Sequence, residues 1–86
     1  MNHALAQAVR LAPIVEKVHG AHHPELTRVR ELTQALADTT DDTRIAGYYA
    51  ELRTVTDNYT VPEDACEGFE SHYRALQESE QIWQNR

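Results

Sequence analysis

The sequence predicts an all-α fold, a small up-down bundle of four helices that forms a single domain over residues 1–86. Three observations support this prediction. Apolar side chains recur at steps of three and four residues in four separate segments, as on one face of a helix. No segment alternates apolar and polar residues as a half-buried strand does. A capping side chain or a proline stands at the start of each segment, and helices joined by short connectors pack as antiparallel neighbours.

The first predicted helix covers about residues 2–18, with the side chain of Asn2 as its cap. Pro13 lies inside this segment, and because proline lacks an N–H, we expect a kink or a break near residues 11–12. Gly20 is expected to end the helix. The apolar face of this helix is formed by Leu5, Ala8, Val9, Ala12, Val15 and Val18.

The two middle helices are predicted on either side of the polar residues 38–42. The second helix begins at His23 and Pro24, because proline is favoured at the first helical position. Its apolar side chains are Leu26, Val29, Leu32, Ala35 and Leu36. The third helix covers about residues 43–55, and a loop follows it at residues 57–61. The buried face of the third helix is formed by Ile45, Tyr48, Tyr49, Leu52 and Val55.

The fourth predicted helix begins at residues 62–64, where a proline precedes two acids. Its apolar stripe comprises Cys66, Phe69, Tyr73, Leu76 and Trp83. Cys66 is the single cysteine of the chain, and its place on this stripe predicts a buried thiol. A lone thiol cannot form an internal disulfide and fits a reducing compartment, so we expect a cytoplasmic location.

The formal net charge of −6 comes from the second half of the chain. Residues 1–40 carry four acids and four bases, whereas residues 41–86 carry ten acids and four bases. An acidic surface repels nucleic acid and attracts a basic protein surface. We therefore expect a basic protein partner, no direct binding to nucleic acid and, without an apolar run of ~20 residues, no membrane span. The candidate partner-binding residues, most of them expected on the outer face of the fourth helix, are Glu63, Asp64, Glu67, Glu70, Glu78 and Glu80.

Three histidines, His19, His22 and His23, fall within five residues and are the candidate metal ligands. Clustered imidazoles bind Zn, Ni or Fe weakly in many settings. Gly20 and Pro24 interrupt the helix that would place two of them on one face. A helix cap followed by an exposed connector is therefore the better interpretation, and we expect no specific cofactor. No segment matches a catalytic motif, so we do not expect an enzyme.

Two connector segments carry a family resemblance. Residues 18–26 read Val-His-Gly-Ala-His-His-Pro-Glu-Leu, and residues 59–66 read Tyr-Thr-Val-Pro-Glu-Asp-Ala-Cys. Both segments, together with Gly47, resemble the iron–sulfur-cluster repair di-iron proteins, a hemerythrin-like family, over about residues 11–78. The resemblance implies a hemerythrin-like bundle and a role in cluster repair or the stress response.

The sequence departs from that family at the iron ligands. Thr43 stands where the third helix of the family carries a ligand histidine. Residues 35–38 and 77–83 lack the His-x-x-x-Glu motifs that end the family's second and fourth helices. We therefore expect no di-iron centre and a non-enzymatic interaction module. The alternative is a small acidic inhibitor, such as an antitoxin or a phage anti-defence (anti-CRISPR type) protein, that binds a basic surface. Gene neighbourhood would discriminate between the two.

Apolar residues outside the four main stripes predict self-association. An 86-residue chain has a thin core, and exposed apolar side chains favour a partner. We expect a homodimer that involves Leu11, Ile14, Tyr48 and Trp83.

Overall fold

Four α-helices in one bundle make up the computed structural model, which describes all of residues 1–86. The helices are α1 (His3–His19), α2 (Glu25–Ala37), α3 (Asp42–Val55) and α4 (Glu67–Gln84). Helix α1 packs against both α2 and α4, and α2 also packs against α3. No strand is present, so the predicted all-α, four-helix class is confirmed. None of the helices combines the length and apolar character needed to cross a membrane.

The N-terminal ends of α1 and α3 are capped as their sequences predict. The Asn2 side chain accepts a hydrogen bond from the Leu5 amide at 2.8 Å. The Asp41 carboxylate accepts one from the Thr43 amide at 2.9 Å. Helix α1 runs continuously through Pro13, so the break allowed for by the sequence does not occur. Pro13 is exposed, and the backbone carbonyl left without its donor is therefore on the side of the helix that water reaches.

All four helices contribute to one hydrophobic core. Small side chains such as Ala4 and Ala8 are fully buried on α1, which allows the neighbouring helices to approach closely. Val18, expected on the buried face, is instead 64% exposed. Three residues advance a helix by 300°, so Val18 lies at the edge of the face that Val15 centres. The largest fully buried apolar side chains are Leu26, Val29, Leu32, Tyr49, Leu52, Phe69, Tyr73 and Leu76.

Helix α4 begins later than its sequence predicts. Residues 62–65 form a turn, in which the Ala65 amide donates to the Pro62 carbonyl at 3.1 Å. Cys66 is the capping residue of α4, in an extended conformation, and its side chain is exposed. The expectation of a buried thiol is therefore wrong, because Cys66 precedes the helix and does not lie on its apolar stripe.

A left-handed turn connects α3 to the segment before α4. Asp57, Asn58 and Tyr59 have φ angles of 52°, 59° and 62°, a region that aspartate and asparagine tolerate better than a bulky tyrosine. The Thr56 hydroxyl accepts a hydrogen bond from the Tyr59 amide at 2.8 Å and so fixes the turn. The turn directs the Tyr59 side chain into the bundle, where it is buried.

Candidate functional site

The two connector segments meet at one end of the bundle. His19 Nε2 lies 2.9 Å from the Sγ atom of Cys66. His23 Nε2 lies 2.9 Å from an Asp64 carboxylate oxygen, and His23 Nδ1 lies 3.2 Å from Glu25 Oε2. We call the group of His19, His23, Asp64 and Cys66 the connector junction. It brings residues from two distant parts of the sequence into direct contact.

Phe69 anchors the connector junction to the core. Its ring is fully buried, and the imidazoles of His19 and His23 both pack against it edge-on, with ring centroids 5.3 and 5.2 Å away. Phe69 also contacts Tyr73 at a centroid distance of 4.9 Å. The two imidazole rings are thus held in place by packing as well as by their polar partners.

The charges at the connector junction favour a protonated His23. The hydrogen bond to Asp64 raises the pKa of His23 above 6.5, burial opposes this shift, and Glu25 adds to it. The same pair lowers the pKa of Asp64. Because both His23 nitrogens face carboxylates, the imidazolium form can donate to each of them. The stabilisation from His23 is therefore complete below its unfolded pKa of ~6.5 and is lost as the pH rises through the raised folded value.

Replacing Asp64 with asparagine is expected to lower the pKa of His23, because the main cause of its upward shift is removed. The measurement is an NMR titration of the imidazole Cε1 proton in the wild-type protein and the Asp64→Asn variant. Glu63→Gln is the matched control, since Glu63 is an exposed neighbour that forms no ion pair with His23. An unchanged His23 titration in Asp64→Asn would show that the two side chains are not paired in solution.

The three candidate metal ligands do not converge. His19 and His23 reach the connector junction and contact other side chains there, whereas His22 is exposed. No three His, Cys, Asp or Glu side chains lie together in an arrangement that could hold a metal ion. His19 and His23 thus lie in one site, but the thiol and the carboxylates that they contact are already engaged in hydrogen bonds with them.

The interior of the bundle does not fit the di-iron centre that the family resemblance implies. Such a centre takes about six inward-facing ligands from four helices. The buried polar side chains here are Thr33, Thr56, His72, Ser79 and Glu80, which include one imidazole and one carboxylate. His72 is 1% exposed and neither of its ring nitrogens has a hydrogen-bond partner. Thr43, at the family's ligand position, is exposed.

Glu80 differs from the other acids proposed for partner binding. It is only 5% exposed, so its expected place on the outer surface is wrong. Its carboxylate accepts a hydrogen bond from the Tyr59 hydroxyl at 2.8 Å and forms an ion pair with Arg53. The spacing of Glu80 from Phe69, Tyr73 and Leu76, in steps of four, three and four, places it on their face of α4. That spacing was the available signal for its burial.

The remaining acids of the set lie on the surface. Asp64 belongs to the connector junction, and we call the other four, Glu63, Glu67, Glu70 and Glu78, the acidic face. Glu70 pairs with Arg74 at 3.2 Å and Glu78 with His3 at 3.3 Å. Glu63 and Glu67 form no ion pair. Exposed pairs of this kind contribute only about 0–1 kcal/mol, so these carboxylates remain available to a partner.

Comparison with known proteins gives no relative for this architecture. No protein-family model, no curated protein and no solved structure matches the chain.

Proposed function

We propose that the chain is a non-enzymatic helical interaction module, with a cytoplasmic location, that binds a basic protein surface through its acidic face. The observation that carries this proposal is the exposed side of α4. Its positions hold Glu67, Glu70, Arg74, Gln77, Glu78, Gln81 and Gln84, which are three carboxylates, three amides and one base. Glu63 extends the same charge beyond the N-terminal end of the helix.

The chemistry of this face indicates how it would bind. It has no exposed aromatic or aliphatic side chain that could fill a pocket on a partner. Its contribution is therefore electrostatic, which mainly accelerates association and selects partners by charge. A partner would present lysine or arginine side chains, because guanidinium and ammonium groups pair with carboxylates.

The bundle topology supports a hemerythrin-like scaffold for this module, in line with the resemblance of the two connector segments. The connector junction holds the start of α4 against the end of α1 and so fixes the acidic face on a rigid support. The two functional hypotheses differ in the basic partner that they require. A role related to cluster repair requires a cluster-assembly protein, and the inhibitor hypothesis requires the protein that an acidic inhibitor would target.

Neutralising two acids of the face is expected to slow association with the partner roughly threefold or more, with a smaller effect on dissociation. The partner is captured on the immobilised wild-type chain from a lysate of the source cells, identified and purified. Binding kinetics are then measured for the wild-type protein and for Glu67→Gln/Glu70→Gln at low and high salt.

The matched control is Glu31→Gln/Asp38→Asn, which removes the same amount of charge from exposed positions on α2 and at its C-terminal end. The proposal requires the control to bind like the wild-type protein. If both double variants slow association equally, the slowing is caused by the net charge of the protein and not by the acidic face. Association and dissociation rates that do not depend on salt would exclude the acidic face as the binding surface.

A further inference from the structure

Helix α1 carries an apolar stripe on the surface. Ile14 and Val18 are 59% and 64% exposed, and Leu11, only partly buried, precedes them at the same helical spacing. Residues 11, 14 and 18 follow the steps of three and four that align side chains along one line of a helix. We call these three residues the α1 stripe. An apolar line of this kind on a small bundle favours a partner that covers it.

The α1 stripe has flanks of opposite charge. On one side are Arg10 and Lys17, both exposed and without an ion pair. Each precedes a residue of the stripe, at 100° around the helix. On the other side, where α1 turns into the bundle, it packs against α4, whose outer surface carries Glu67 and Glu78. A guanidinium also lies on α4, that of Arg74, but Glu70 compensates its charge.

Contacts at both ends fix the direction of α4 beside α1. His3, at the start of α1, pairs with Glu78 near the end of α4, and His19, at the end of α1, contacts Cys66 at the start of α4. The two helices are therefore antiparallel. It follows that Lys17 and Glu67 lie at the same end of the bundle, on opposite flanks of the α1 stripe.

We propose that a second copy of this chain covers the α1 stripe, with the two α1 helices parallel about a two-fold axis. A two-fold axis along the helices brings the basic flank of each copy against the acidic flank of the other. Lys17 of one copy then faces Glu67 of its partner, twice per dimer. An axis across the helices would make them antiparallel and would place basic flank against basic flank, which is repulsive.

The size of the stripe sets the strength of this dimer. Seven residues advance a helix by about 10 Å, so the apolar contact is short and the interface is smaller than the ~1,200 Å² of a stable complex. We therefore expect a dissociation constant on the order of tens of micromolar. Because the two ion pairs lie beside a small apolar contact, the dimer is expected to weaken with salt.

Sedimentation equilibrium on the purified protein tests the surface. Ile14→Glu places a charge in the centre of the α1 stripe and is expected to weaken the dimer at least tenfold. Ala46→Glu introduces the same charge at an exposed position on α3 and is expected to leave the dimer intact. A wild-type protein that stays monomeric at high micromolar concentration would overturn the proposal, as would equal behaviour of the two variants.

A mixing experiment separates contacts between copies from contacts within one copy. Lys17→Glu and Glu67→Lys each create like-charge pairs across the proposed interface, so each variant alone is expected to be mostly monomeric. An equimolar mixture is expected to recover the dimer, because both cross-interface pairs are then of opposite sign. Failure of the mixture to dimerise would contradict the parallel arrangement.

Disulfide formation tests the direction of the helices, on a Cys66→Ser background. In the parallel dimer Val18→Cys meets its own copy and is expected to form a disulfide-linked dimer. In an antiparallel dimer Val18 of one copy would face Leu11 of the other, so Val18→Cys would instead cross-link to Leu11→Cys in a mixture of the two, which would overturn the proposal. These experiments involve no basic partner, so their outcome is independent of the proposed function of the acidic face.

Discussion

Replacing His72 with leucine is expected to stabilise the protein by roughly 1–3 kcal/mol at neutral pH, the cost of a buried polar group without a hydrogen-bond partner. His72 is 1% exposed on α4, and both of its ring nitrogens lack partners. Leucine has a similar volume and no polar atom, so it keeps the packing and removes the unpaired groups.

The same substitution is expected to change the response to acid. Burial lowers the pKa of His72 from 6.5 to about 4. Between these values the unfolded chain binds more protons than the folded one, so the free energy of unfolding falls as the pH falls. One pKa unit corresponds to ~1.4 kcal/mol, so His72 lowers the free energy of unfolding by about 3 kcal/mol once the pH lies below its folded pKa.

Urea unfolding at a series of pH values between neutral and acid measures both effects. The difference between the wild-type protein and His72→Leu isolates His72 from His23 and the carboxylates, which titrate in both proteins. His22→Leu is the control, because His22 is exposed. A difference between the wild-type protein and His72→Leu that stays constant as the pH falls would show that His72 is solvated or protonated in the folded state.

Replacing Glu80 with alanine is expected to destabilise the protein by about 2–4 kcal/mol. The substitution leaves the buried Tyr59 hydroxyl without its acceptor and Arg53 without its carboxylate, and it opens a small cavity. Burial, followed by the hydrogen bond to Glu80, raises the pKa of Tyr59, so the phenol remains a proton donor at any working pH. The Tyr59 side chain that makes this contact belongs to the left-handed turn at residues 57–59.

Glu78→Ala is the matched control for Glu80→Ala. Glu78 lies on the same helix, is exposed and pairs only with the exposed His3, so its loss is expected to cost within ~0.5 kcal/mol. Glu80→Gln keeps an oxygen acceptor for Tyr59 and is expected to fall between the two. Urea unfolding measures the loss of stability in each of the three variants. Equal losses for Glu80→Ala and Glu78→Ala would show that the Glu80 side chain lies in solvent.

The helices could be predicted because their determinants are local. Caps such as Asn2 and Asp41 act within one turn, and apolar spacing reveals each buried face. The start of α4 could not be predicted, because Pro62 suits a turn as well as a first helical turn. The exposure of Val18 could not be predicted, because apolar spacing does not show where the buried face centred on Val15 ends.

The candidate site was predicted less completely than the fold. The connector residues were singled out, but their contacts join positions about 40 residues apart, and no periodicity encodes such contacts. Charged residues are rarely buried, so the residue type of Glu80 predicts a solvated carboxylate, whereas its spacing on α4 indicates the burial that is observed. His72 stands three residues after Phe69 and four before Leu76, so the same kind of spacing also places His72 on the buried side of α4.

We propose that this bundle works through an external acidic surface and not through an internal iron centre. The most direct test is the iron content of the purified protein after expression in iron-rich medium, with its absorption spectrum. We expect far less than one iron per chain, because the interior offers one imidazole and one already engaged carboxylate. About two irons per chain with an oxo-bridged absorption band would contradict the account and restore the activity that the family resemblance implies.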